Sequence, residues 1–144
     1  MTWAMVAVML GGMAVAVQAP INAALGRSLG GPVPAAAVSF GVGFAVLLTV
    51  ALVQGQGGSF LKLAQVPLWM LAGGALGAWY VFSATWGVAA LGVVTMIAAL
   101  ILGQMAAALV IDTTGALGMA ARDITPTRIA AVVLVGAGLV LSRF

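Results

Sequence analysis

From Leu68 to Ile111 the sequence contains 44 consecutive residues without a charged side chain. A helix needs about 20 largely apolar residues to cross the hydrocarbon core of a bilayer. The run is therefore long enough for two spanning helices joined by a tight turn, which we place at Gly87 to Gly92. A chain that contains such a segment is expected to fold in a membrane.

Charged residues are confined to the ends of apolar runs and to the connections between them. They make up 5% of the 144 residues, whereas 65% are hydrophobic, and the mean hydropathy is +1.29. A soluble domain carries about a quarter charged residues, and a charge at the centre of a spanning helix costs roughly 3 kcal/mol. We therefore predict an all-α integral membrane protein whose partner is the lipid bilayer. The net charge of +3 includes no basic cluster, so no nucleic-acid partner is expected.

Five transmembrane helices are predicted, in a single transmembrane domain over residues 1–144. The predicted ranges are 3–24, 35–53, 68–86, 93–111 and 126–142. Thr125 and Pro126 have the residue types preferred at the N-cap and first position of the last, short helix. The first apolar run is too long for the core of a cleaved signal, so we predict a retained helix.

An odd number of spans places the two termini on opposite sides of the membrane. The side of the amino terminus carries Lys62, Arg122 and Arg128, and the other side carries Arg27 and Arg143, a difference of 3 − 2 = 1 cation. So weak a bias is compatible with insertion in both orientations. Many transporters consist of two repeats of inverted topology, so a five-helix unit is expected to be half of one, completed by dimerisation. A fixed orientation set by the three cations is the alternative.

Polar side chains within the predicted spans indicate a candidate substrate site. Pro20 frees a backbone carbonyl in the preceding turn, and Gln18 and Asn22 lie four residues apart on one helix face. A kinked helix with two amides can line a polar cavity; alternatively, these amides only bond a neighbouring helix. Gln104 is the strongly polar residue of the fourth span and needs a partner there. The candidate partners are Asn22, Gln18, Ser39 and Ser83.

Two aromatic residues lie near the middle of the third span. Trp79 follows Trp69 by ten residues, about 15 Å along a helix, so Trp79 and Tyr80 are too deep to anchor the chain at the membrane surface. They either pack between helices or wall a site for an apolar or cationic ligand. The candidate substrate-binding residues are therefore Gln18, Asn22, Ser39, Trp79, Tyr80 and Gln104.

The composition argues against several classes of chemistry. The chain has no Cys and no His, which excludes thiolate and imidazole metal ligands and nucleophiles. No Asp or Glu lies within a predicted span, so exchange through a buried carboxylate is not expected. Asp112 is expected to pair with Arg122 or Arg128 at the end of the fourth helix. We expect no enzyme activity, no catalytic residue, no metal and no cofactor.

Several segments carry a resemblance to a known family. They are QAPINAALG at 18–26, AAVSFGVG at 36–43, GGALGAWYV at 73–81, Gly103-Gln104, and DTTGALG at 112–118. In these segments the chain resembles the YdcZ-like family of small membrane proteins, a branch of the drug/metabolite transporter superfamily. The resemblance implies a multi-pass protein of the bacterial inner membrane with about five helices, similar to one half of the ten-helix members.

Taken together, these features favour a small-molecule transporter that works as an antiparallel, dual-topology homodimer. Its partners would be a small-molecule substrate and a second copy in the opposite orientation, or a paralogue in place of that copy. The alternative is a non-transporting scaffold or packing subunit of another membrane complex. A transporter should present a cavity lined by the candidate residues, whereas a scaffold should bury them in tight helix contacts.

Overall fold

A computed structural model describes residues 2–144, and Met1, the first residue of the predicted domain, lies outside the described residues. Within residues 2–144 the chain is helical and contains no strand. The α-helices are α1 (Thr2–Leu29), α2 (Pro32–Val53), α3 (Ala72–Leu91), α4 (Val93–Thr114) and α5 (Pro126–Leu141). Short 3₁₀ segments lie in the connections, at Gly57–Gln65, Leu68–Leu71 and Ala116–Gly118.

Four helical segments of residues 2–144 are long and apolar enough to cross a membrane. They are Thr2–Leu29, Pro32–Val53, Leu68–Leu91 and Val93–Thr114. The prediction of an all-α integral membrane protein is confirmed. The fifth helix has 16 residues, about 24 Å at 1.5 Å per residue, which is shorter than a hydrocarbon core of about 30 Å. Five spans, and the completion of the fold by a dimer, therefore stay predictions.

The first compact unit of the chain ends at Ala89. In it α1 packs along α2, and the buried residues at this contact are small: Ala19, Ala23 and Ala35 are each less than 10% exposed. Small side chains let two backbones approach closely, and this is the main source of helix association in lipid, where no hydrophobic drive acts between helices.

The second compact unit comprises Ala90–Phe144. Here α4 packs against α5, and Thr95 and Met96 are buried. The Thr95 hydroxyl donates to the carbonyl oxygen of Ser142 at 3.0 Å. This bond links the first turn of α4 to the residue that follows α5. The prediction of one transmembrane domain over the whole chain stays a prediction.

The first helix ends at Leu29 rather than at residue 24. The turn between α1 and α2 consists of Gly30 and Gly31 alone, so the residues before it remain helical. Gly30 adopts a φ of 83°, and the Gly31 N–H donates to the Gly26 carbonyl at 2.8 Å. This is the Schellman arrangement, which satisfies a helix-terminal carbonyl. Pro32 then occupies the first turn of α2, where its missing N–H costs no hydrogen bond.

The third helix ends at Leu91 rather than at residue 86. The turn, predicted to extend from Gly87 to Gly92, therefore consists of Gly92 alone. Gly87 is helical and buried, whereas Gly92 has a φ of 78° and breaks the chain direction. A glycine without a positive φ continues a helix at a modest cost. At the last helix, Thr125 accepts a bond from the Arg128 N–H, which confirms the predicted N-cap.

Candidate functional site

Three of the candidate residues meet between α1 and α2. Ser39 Oγ accepts a hydrogen bond from Gln18 Nε2 at 3.2 Å and a second from Asn22 Nδ2 at 3.3 Å. Asn22 is only 4% exposed. The two amides reach one hydroxyl because residues four apart lie on the same face of a helix. The expectation that they share a face is confirmed.

The polar cluster formed by Gln18, Asn22 and Ser39 keeps unused acceptor capacity. Within residues 2–144 the side-chain carbonyl oxygens of Gln18 and Asn22 accept no hydrogen bond. Pro20 lies between them in sequence, inside an α1 that continues as one helix, and it cannot donate to the carbonyl four residues earlier. The cluster thus bonds two helices and also offers acceptors to a further group.

A cavity of 480 Å³, called here the aromatic cavity, lies between α2 and α3. The Trp79 and Phe82 rings form part of its wall, with their centroids 5.5 Å apart and their planes inclined by 37°. Trp79 is 67% exposed, so the rest of the unit does not cover its ring. The volume lies within the range of about 300–1,000 Å³ that is usual for ligand pockets. The lining residues are Val33, Ala36, Ala37, Phe40, Ala75, Ala78, Trp79 and Phe82.

The polar cluster and the aromatic cavity lie on different faces of α2. Ser39 faces α1 through its bonds to the two amides, whereas Ala37 and Phe40 line the cavity toward α3. Tyr80 is half-buried and is not among the residues that line this cavity. Within the first unit, three predicted site residues therefore form a polar helix contact, Trp79 lines the aromatic cavity, and Tyr80 belongs to neither.

Gln104 lies in the second unit, on α4. Its side chain is exposed, and within residues 2–144 it makes no hydrogen bond. A side-chain amide in hydrocarbon is costly without a partner. Gln104 therefore remains available to a group outside the described unit.

A second cavity, of 310 Å³, lies at the end of the first unit where α1 ends and α2 begins, and we call it the Arg27 cavity. It is lined by Ala23, Gly26, Arg27, Gly30, Gly31, Pro32, Thr85, Trp86 and Ala89. Thr85 is 3% exposed and its hydroxyl donates to the Val81 carbonyl at 2.7 Å. Arg27 is the charged residue of this lining.

Sequence reasoning did not identify Phe40, Phe82 or Arg27 as site residues. One available signal was the spacing of Ala75, Ala78 and Phe82, which recurs at helical intervals around Trp79 and marks a single face of α3. No comparable signal assigns Phe40 to the same cavity, because its contact with α3 depends on how the two helices pack.

An ion pair lies at the end of α4 in the second unit. Arg128 Nη1 lies 3.2 Å from Asp112 Oδ2, and the two side chains are 34% and 36% exposed. The two groups form an ion pair without a hydrogen bond, since Arg128 Nη1 has no hydrogen-bond partner within residues 2–144. The expectation that Asp112 pairs with Arg122 or Arg128 is confirmed for Arg128. Asp112 is not among the residues that line the aromatic cavity.

Long apolar helices with a ligand-sized cavity between two of them define a multi-pass membrane protein with a candidate small-molecule site. A model of the family described as "Putative inner membrane exporter, YdcZ" matches residues 3–141. The chain belongs to this family and is a protein of the inner membrane, as the resemblance of its motifs implied. No curated protein and no solved structure matches it.

Proposed function

We propose that the protein exports a small molecule with an aromatic or otherwise planar apolar body, and that the aromatic cavity receives it. The observation that carries this proposal is the 480 Å³ space between two apolar helices, with Trp79 and Phe82 in its wall. Aromatic pairs favour offset or tilted contacts with ring centroids about 4.5–7 Å apart. The tilted Trp79–Phe82 pair offers ring faces and edges to such a ligand. The family description supports export as the direction.

The polar cluster has an accessory role in this proposal. The amide oxygens of Gln18 and Asn22 accept no hydrogen bond within residues 2–144, while Ser39 holds both side chains in place. Because this cluster and the aromatic cavity lie on different faces of α2, a substrate would meet them at different stages of its passage and not in one bound position.

We further propose that the transporter is an antiparallel homodimer with dual topology. The cation difference of one between the two sides supports insertion in both orientations. The exposed Gln104 amide supports assembly, because a second copy can supply the polar partner that this apolar helix otherwise lacks. Two oppositely oriented copies would reproduce the inverted repeats of larger transporters.

A scaffold that does not transport is the second candidate. The bonds from Gln18 and Asn22 to Ser39 serve helix packing in a scaffold equally well, and in a scaffold the aromatic cavity would receive a helix of the partner. The family description as an exporter supports transport instead. We also propose that the protein is not an enzyme, since moving a small molecule across a membrane requires no chemical change in that molecule.

The test fills the aromatic cavity and measures what cells release. Ala78 lines the cavity, so Ala78→Phe should occupy it; Ala72→Phe makes the same change at an exposed residue of α3 outside the cavity. Compounds in the medium of bacterial cells that express each variant would be quantified by mass spectrometry. Aromatic compounds enriched by the wild type and by Ala72→Phe, but not by Ala78→Phe, are the expected result.

Two results would contradict the proposed function. Equal release by the two variants at equal expression would show that the aromatic cavity is not on the export path. No difference between wild-type cells and cells without the protein, across the released compounds, would favour the scaffold.

A further inference from the structure

The Arg27 cavity contains a cation that no acidic residue neutralises. Within residues 2–144 the Arg27 side chain makes no ion pair and no hydrogen bond. It lies in the last turn of α1, where the helix dipole favours a positive charge. That interaction leaves the five N–H donors of the guanidinium unused. Arg27 is exposed and lines a largely apolar groove, so its charged donors are accessible to an anion.

The two cavities are lined by consecutive turns of one face of α3. Trp79 and Phe82 belong to the aromatic cavity, and Thr85 and Trp86 belong to the Arg27 cavity. From Phe82 to Trp86 the helix rises by about 6 Å. A molecule with an acidic group and an aromatic body a few bonds away could therefore contact both cavities along this face.

We propose that the substrate is an amphipathic organic anion, whose carboxylate or other acidic group pairs with Arg27 while its aromatic body lies against Trp79 and Phe82. The inference rests on the proposed function, because it specifies the substrate class of the same site. Arg27 is a binding residue here and sets the preference for charge. Guanidinium groups suit this role because their planar fork matches the two oxygens of a carboxylate.

A membrane lipid headgroup is the competing occupant of the Arg27 cavity. The lining comes from α1, α2 and α3 and includes Trp86, so the site is a groove between helices and not the face of a single helix. Its continuity with Trp79 and Phe82 along α3 favours an aromatic acid over a headgroup, which has no aromatic body. The experiment below separates the two occupants.

Affinity for three matched probes measures the charge preference directly. The full chain would be purified in nanodiscs of phosphatidylcholine, and binding of naphthylacetate, naphthylacetamide and naphthylethylammonium followed by equilibrium dialysis, with empty nanodiscs subtracted. Bonds to a charged group predict that the acid binds about tenfold more tightly than the neutral amide. The amine should bind weakest. This comparison on the wild-type chain needs no variant.

Two substitutions then locate the preference. Arg27→Gln should reduce the ratio of acid to amide affinity to about one, and Arg27→Lys should restore part of it. Arg143→Gln is the matched control, since it removes the same charge from the same predicted side of the membrane and Arg143 does not line the Arg27 cavity. Both Gln variants change the cation balance equally, so a difference between them does not arise from altered topology.

Several outcomes would overturn the inference. Equal affinity for acid and amide in the wild type is one, and equal loss of the ratio in Arg27→Gln and Arg143→Gln is another. Phosphatidylglycerol that displaces naphthylacetate, and co-purifies with the wild type but not with Arg27→Gln, would assign the cavity to lipid. Export of neutral compounds without a preference for acids would reject the organic anion as substrate but would leave the proposal of a transporter standing. Binding of acids through Arg27 without any export would support the anion site and reject the proposal of a transporter.

Discussion

The Phe40 ring on α2 lies so close to Gly77 on α3 that a Cβ at residue 77 would stand 3.2 Å from Phe40 Cζ. Phe40 also lines the aromatic cavity, so the position of its ring links the packing of α2 on α3 to the shape of the proposed site. The absence of a side chain at residue 77 matters through this contact and not through the backbone conformation, since Gly77 has no positive φ.

Gly77→Ala should therefore displace the Phe40 ring and change the aromatic cavity. The displaced atoms are the end of a side chain that is 39% exposed, so the cost should lie below the roughly 1–3 kcal/mol of overpacking in a core. The better helix propensity of Ala returns up to about 1 kcal/mol. We expect little net change in a thermal unfolding scan in detergent, together with weaker binding of naphthylacetamide.

Gly73→Ala provides the control for this contact. Residue 73 lies one turn earlier on the same helix, and an added Cβ there meets no atom within 4 Å. It should be neutral or slightly stabilising. Equal effects of the two substitutions would mean that the Phe40–Gly77 contact does not shape the cavity.

The bonds to Ser39 should couple the two helices weakly. Hydrogen bonds between helices in membranes average about 0.6 kcal/mol, so a double-mutant cycle of Asn22→Leu and Ser39→Ala should give a coupling energy near that value. The cycle is measured from the free energies of unfolding in detergent. A coupling near zero would show that the 3.3 Å contact between Asn22 and Ser39 contributes nothing to stability.

If the amides also serve the substrate, Asn22→Ala should reduce export more than it reduces folded protein. The loss of one weak bond leaves most of the chain folded, whereas a missing acceptor weakens a bound polar group. Export per molecule of purified, folded protein is the relevant measurement. A fall in folded yield with unchanged export per molecule would assign Asn22 to packing alone.

Substitution of Asp112 should have only small effects on substrate binding and on export. The pair with Arg128 is about one-third exposed, and such pairs contribute about 0–1 kcal/mol. Asp112→Asn should lower stability by less than about 1 kcal/mol and leave binding of naphthylacetate unchanged across the neutral pH range. Asp123→Asn, at an exposed acid, is the control. A pH dependence of export that Asp112→Asn abolishes would place this carboxylate in the transport mechanism.

Dual topology predicts that a reporter fused after Phe144 is found on both sides of the membrane. The cation difference between the two sides is one, so two additional Lys residues in the connection 54–59 should shift the population to one orientation. The same two residues placed next to Arg27 should shift it in the opposite direction. A reporter signal on a single side for the unmodified chain would contradict the prediction.

The positions of the helices can be predicted from the sequence because a bilayer constrains the length and the composition of each spanning helix. Apolar runs bounded by charges predict the spans, and local signals such as Thr125-Pro126 predict individual ends. The helix ends at Leu29 and Leu91 differ from the predictions, since a glycine-rich stretch marks a region and only a glycine with positive φ marks the end.

The contacts between helices are harder to predict from the sequence. A helix that is apolar all round carries no face pattern that assigns a partner, so nothing in the sequence of α2 indicates that Phe40 meets Gly77. Polar residues are the exception. The i, i+4 spacing of Gln18 and Asn22 predicts a shared face, and the structure places both at Ser39.

The most direct test of the proposed export site is the fluorescence of Trp79 as the sole tryptophan. Trp3, Trp69 and Trp86 would be replaced by Phe, and the protein in nanodiscs titrated with nitrobenzoate or nitrobenzamide, either of which quenches tryptophan fluorescence. A second chain keeps only Trp69, which lies in the 3₁₀ segment Leu68–Leu71 outside the cavity. We predict saturable quenching of Trp79 that Ala78→Phe abolishes, and a merely linear response of Trp69. A linear response of both tryptophans, or saturation that survives Ala78→Phe, would contradict a substrate site in the aromatic cavity.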